Sequence, residues 1–124
     1  MTILIADSVM DAALDAIENA TSPVLHVCSG DPGDRAAVIT NSLADHTLTS
    51  GDFTKANGDT SGRKLTMSQQ ADIDIDATGT AAHVCIIDSS ELLLKTTCTS
   101  QALTSGGTVT VPAFDYEIAD AAAE

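Results

Sequence analysis

The hydrophobic period of this chain changes once, at Pro23, and that change does most to limit what it can fold into. Before it, Met10, Ala13, Leu14 and Ile17 recur at helical spacing. Such a stripe predicts an amphipathic helix over residues 7–19, with Asp11, Asp15 and Glu18 on the opposite face. Asp7 or Ser8 is placed to cap its start, Asn19 to stop it, and Pro23 prevents continuation. Asp11 and Asp15, like charges four apart, cost the helix roughly 0.2–0.5 kcal/mol, so it must hold by docking its stripe. After Pro23 the apolar period is two. Strands are predicted over 25–28, 46–49, 63–68, 72–76, 81–87, 92–98 and 108–111, with a last alternation through Phe114, Tyr116 and Ile118. Leu65 and Met67 share one face, and Ile73 and Ile75 point inward. Residues 81–87 are apolar on both faces, which marks a central strand. Residues 35–43 fit a helical turn or a strand, and 55–62 read as a polar loop. Strands at this spacing predict a mainly β fold: an antiparallel β-sandwich or small β-barrel with one N-terminal α-helix. The expectation is a single domain over 1–124, with the β domain at about 24–118 and a short tail at 119–124.

Composition limits what such a domain does. The net charge is −13 at pH 7, from eighteen acidic and five basic residues. A chain of this charge lacks the cations that supply most nucleic-acid affinity. With no Trp, one Tyr and two Phe, it also lacks stacking platforms, and its core must be built from Val, Ile, Leu, Met and Ala. The N-terminus carries no basic residue and its apolar start breaks at Asp7, so no signal peptide is expected. No window approaches a membrane span. The three cysteines, Cys28, Cys85 and Cys98, are therefore expected as small buried hydrophobes and not as a disulfide framework.

Four constellations bear on chemistry. His26-Val27-Cys28 and His83-Val84-Cys85 form an internal echo in which each His shares a face with its Cys. Were the two strands to pair, two His and two Cys would meet as a zinc-type ligand set; the alternative is two inner strands with packed thiols and hydrogen-bonded imidazoles. Asp72, Asp74 and Asp76 put three carboxylates on one face. Ala77 and His83 stand where a calcium loop needs Gly and Glu, so the run reads as a solvated strand face. Gly58-Asp59-Thr60-Ser61-Gly62 lacks the spacing of a nucleophile elbow, and no Gly-rich phosphate loop with its Lys occurs. Arg63-Lys64 is the only basic pair, either adjacent strand residues on opposite faces or an anchor for an acidic partner. No catalytic, cofactor-binding or metal-ligating residue is assigned, no cofactor is expected, and metal is not expected to be needed for folding.

Three further stretches carry a family pattern. They are Leu48 to Thr54 with Gly58 to Thr66, Ala81-Ala82-His83-Val84 followed by Asp88-Ser89-Ser90, and Gln101 to Val109 followed by Pro112-Ala113-Phe114-Asp115. Together they resemble a family of small tailed-bacteriophage virion proteins of the capsid decoration, or cement, type. The resemblance spans roughly residues 5–120 and brings no catalytic motif with it. It implies a non-enzymatic structural protein that binds and stabilises the outside of a capsid. The partners it implies are the major capsid protein and further copies of the chain, a trimer being one arrangement, with no nucleic acid and no membrane. The implied location is the outer capsid surface of a virion assembled in the host cytoplasm, because packaged DNA repels this charge. A tail or fibre-associated adhesion module and a low-copy head–tail connector or completion protein are the alternatives. Ile3, Leu4 and Ile5 read as a strand added to an exposed edge.

Overall fold

The computed structural model describes residues 5–59 and 61–118. In chain order the elements are α1 (Asp7–Glu18), β1 (Val24–Cys28), α2 (Arg35–Thr40), β2 (Ser42–Thr47), a 3-10 turn (Ser50–Asp52), β3 (Phe53–Asn57), β4 (Arg63–Met67), β5 (Gln70–Asp74), β6 (Gly79–Ile87), β7 (Leu92–Leu103), β8 (Thr108–Val111) and β9 (Phe114–Ile118). Strands take 50% of the described residues and helices 19%; the fold is mainly β, antiparallel and sandwich-like, not a closed barrel. The chain, read from its sequence as one domain, groups into two compact units. The 119–124 tail lies outside the described residues, as does the Ile3-Leu4-Ile5 run except for Ile5, which is in no strand.

The first unit takes residues 1–20, 49–69 and 113–124. Here α1 lies against the antiparallel sheet β3-β4-β9. Met10, Leu14 and Ile17 are 2%, 0% and 6% exposed, and Phe53, Leu65 and Met67 are buried on the sheet. Ala13, expected in the stripe, faces outward, since positions i, i+4 and i+7 already complete the contact. The expected cap is also absent: Ala6 holds the N-cap position with an extended backbone and no side-chain cap bond, and Asp7 meets the positive helix end from the first turn. Asn19 ends the helix as expected, its N–H donating to the Asp15 carbonyl at 2.8 Å.

The acidic face of α1 is paired with cations of the sheet. Arg63 Nε donates to Asp11 at 2.8 Å, and Lys55 pairs with Asp15 and, at 3.5 Å, with Glu18. This explains why 55–57 is strand and not the predicted loop. Lys55 is held by the helix acids, and β3 runs in full register with β4 from Phe53↔Met67 to Asn57↔Arg63. The hairpin closes with the Gly58 N–H on the Gly62 carbonyl at 2.9 Å. A Cβ at Gly58 would overlap the Ser61 carbonyl oxygen and the Glu117 carboxylate, so glycine is required there.

The second unit takes residues 21–48 and 70–112. Its main sheet runs β2-β1-β6-β7, all antiparallel, so β6 is central as its apolar faces predicted. The ambiguous stretch 35–43 resolves into α2, whose N-cap Asp34 accepts from the Ala37 N–H at 2.8 Å, and the start of β2. The strand predicted at 46–49 lies instead at Ser42–Thr47, because pairing with β1 begins at Ser42 across a bulge at Val27/Cys28. β5 and β8 form a second ribbon, joined towards the main sheet by a bridge between Ile75 and Ala44. Ile73 and Ile75 are buried, as predicted, while Asp72, Asp74 and Asp76 are exposed. Asp72 takes φ 56° where the ribbon's register slips, so the alternation is less regular than the sequence suggests. β7 continues five residues past the predicted end at Cys98 because its bulge opposite Ala82 lets it follow β6 back to Gly79.

Candidate functional site

The pairing of β1 with β6 brings the two echoed motifs together. His26 lies opposite Cys85, Val27 opposite Val84, and Cys28 opposite His83. Two thiols and two imidazoles thus occupy four adjacent positions on one sheet face. Cys28 and Cys85 are both 0% exposed and pack with Val38 of α2 and Ile87. They are diagonal neighbours, not directly opposite, and both are free thiols. Diagonal Cα atoms lie ~7–8 Å apart in such a sheet, beyond the reach of an unstrained disulfide. Cys28 Sγ donates to the Val38 carbonyl at 3.5 Å, and the neighbouring Cys85 thiol, then burial, push the Cys28 thiol far up. The Cys85 thiol is drawn down by its neighbour Cys28 and by Lys95, against burial and the Asp31 charge.

The imidazoles are engaged elsewhere. His26 Nδ1 is 2.7 Å from Ser42 Oγ, and burial lowers its pKa from 6.5, so the ring is neutral. His83 Nδ1–H donates to the Gly30 carbonyl, while Nε2 lies 3.5 Å from Asp31. Among the described residues, no group of three or more His, Cys, Asp or Glu is arranged to hold a metal ion. The pairing that the zinc reading required is therefore present, and the four-ligand convergence is not. Cys98, expected to be buried like the others, is only half-buried, since it sits in the β7 bulge.

Arg63 and Lys64 offer no outward anchor. Arg63 binds Asp11 and Asn57, and Lys64 binds Asp59 at 2.7 Å and Asp115 at 3.3 Å. The other cations are also committed within their own units. Lys55 holds α1, Arg35 Nε donates to the Asp88 carbonyl at 2.8 Å, and Lys95 binds Asp31 at 2.6 Å and the Pro32 carbonyl at 3.0 Å. Hydrogen bonding to Lys95 holds the Asp31 carboxyl below its usual range. All five basic side chains therefore work inside the chain, and the charge offered to a partner is negative.

One surface departs from that pattern. From Leu92 to Phe114 the sequence contains no Asp or Glu. This run forms β7, the turn after it, and β8. Among the described residues β7 is an edge strand, bordered by β6 alone. Beside it a cavity of about 240 Å³ opens between the main sheet and β8, lined by Val27, Val84, Cys98, Gln101, Val109 and Val111 among others. That is below the ~300–1,000 Å³ usual for small-molecule sites. Motif reading missed this surface because its signal is the absence of a residue type over a long stretch.

Comparison of the chain with protein-family models, with curated proteins and with solved structures finds no match in any of the three.

Proposed function

We propose that this is a non-enzymatic virion structural protein that binds the outside of a bacteriophage capsid and stabilises it. Its partners are the major capsid protein and further copies of itself, and its place is the outer capsid surface. The class rests on the sequence resemblance, whose segments lie on the 3-10 turn, the β3–β4 hairpin, β6 and the β7–β8 turn. The observation that carries the reading is the acid-free run from Leu92 to Phe114 on an otherwise acidic chain. It supplies a β-edged run without carboxylates of its own for a lattice contact, while the acidic faces stay hydrated and repel packaged DNA. Occupying several shell subunits at once raises avidity without a large single interface.

The experiment is addition of the purified protein to undecorated heads, with bound copies counted against the major capsid protein on a stained gel. Decoration predicts stoichiometric coverage, and Thr99→Glu on the exposed β7 edge is expected to reduce it while leaving the melting curve unchanged. A small fixed copy number would assign the protein to the neck or tail instead.

A further inference from the structure

We propose that the cavity beside β7 receives the Tyr116 side chain of a second copy of the chain, so that copies join head to tail. The inference rests on the reading that further copies of the chain are among its partners, and it is tested on the protein alone, without heads.

The donor is set by what α1 leaves uncovered. In the first unit α1 lies on β4 and β3, and β9 is the outer strand of that sheet. Tyr116 stands opposite Leu65, so the two side chains share a sheet face. Leu65 is 3% exposed there and Tyr116 42%. Tyr116 is the chain's only tyrosine and, among the described residues, its only exposed aromatic side chain. A ring that is apolar along its body and polar at its tip is a typical interface anchor.

The acceptor lies wholly within the second unit. Its walls are aliphatic, from Val27, Val84, Val109 and Val111, while Thr99 and Gln101 supply partners for a phenol hydroxyl. Its volume of about 240 Å³ exceeds the ~150 Å³ of a cavity that holds a benzene ring.

Charge matches the two. Asp115 and Glu117 flank Tyr116 and approach any surface that it enters. On a chain of net charge −13, most surfaces repel two further carboxylates. The cavity lining contains none, and neither does the run from Leu92 to Phe114 that supplies most of it. The same argument disfavours pairing two β9 strands edge to edge about Tyr116, which sets Asp115 opposite the partner's Glu117. Donor and acceptor are different surfaces, so each copy uses both and the contact propagates into a ring or a chain. β7 is twelve residues long and gives the cavity only Cys98, Thr99 and Gln101, which leaves the rest of the strand to the shell.

With one Tyr and no Trp, the intrinsic emission of the whole chain reports on Tyr116. In light scattering from ~1 μM to ~1 mM protein, mass should rise with concentration, and acrylamide quenching of the tyrosine emission should fall as it does. Added salt should favour association, because screening weakens the repulsion between like-charged copies. Tyr116→Ala, and Val109→Phe, which fills the cavity, should each weaken association by more than ~30-fold, the loss expected of a central anchor. An equal mixture of these two variants should stop at a dimer, since each pair holds one intact donor and one intact acceptor; a variant that had failed to fold would not pair. A wild type that stays monomeric throughout, quenching that does not change with mass, or a Tyr116→Ala variant that assembles like the wild type would overturn the proposal. Failure to coat heads, with the solution results as expected, would overturn the shell reading alone.

Discussion

Asp88 shows how much a single carboxylate organises in this chain. Its Oδ1 accepts from the backbone N–H of Ser90 at 2.8 Å and of Glu91 at 2.7 Å, so it closes the turn between β6 and β7. Those backbone bonds hold its carboxyl below its ordinary value of 3.8. The sign of the consequence follows from linkage. The unfolded chain takes up this proton at higher pH than the folded one, so the stabilisation is complete above 3.8 and is lost as pH falls towards the folded value. Asp88→Asn keeps an acceptor but removes the charge. It is expected to melt earlier at neutral pH and to show a shallower fall in melting temperature towards about pH 3, as thermal melts across that range would report. The turn itself was legible from Ser89-Ser90, but Asp88's role was not, because spacing does not reveal which side chain folds back on the backbone. The same holds for Lys55, which reads as loop until the acids of α1 are seen beside it.

At the scale of elements, strong periodicity was legible and weak periodicity was not. α1 ends at Glu18, one residue inside the predicted span, because Met10, Leu14 and Ile17 fix its buried side. β8 and β9 fall where alternation put them, and β4 ends one residue early at Met67. β2 was misplaced and β3 was read as loop because their sequences, Ser42–Thr47 and Phe53–Asn57, mix polar and apolar residues without a clean period; pairing with β1 and β4 decides them. The reciprocal contact of the His-x-Cys motifs was visible as a conditional, since the echo was plain but strand adjacency is a tertiary fact. Leu14 tests the element-level account. It is fully buried within its own unit, so the helix acts as internal cover for the sheet. Leu14→Ala is expected to cost ~2–5 kcal/mol in denaturant unfolding. A variant that melts like the wild type and fails only on heads would make α1 an assembly element.

At the scale of the whole molecule, charge separates what is presented from what is held. Eighteen acidic residues are spread over the chain except between Leu92 and Phe114, and every basic side chain is tied to a partner inside its unit. Among the described residues every cation is already engaged, and β7 and β8 contribute no carboxylate of their own. β7 still carries Lys95 and a bulge, features that discourage indiscriminate strand pairing. The central claim is that the shell is bound through this acid-free run and not through the net charge. Titration of the protein onto undecorated heads from 0.1 M to 1 M salt tests it most directly, because the screening length shrinks from ~10 Å to ~3 Å over that range. The account predicts that occupancy persists at 1 M salt. Complete release at moderate salt would contradict it, and would make the −13 charge the anchor.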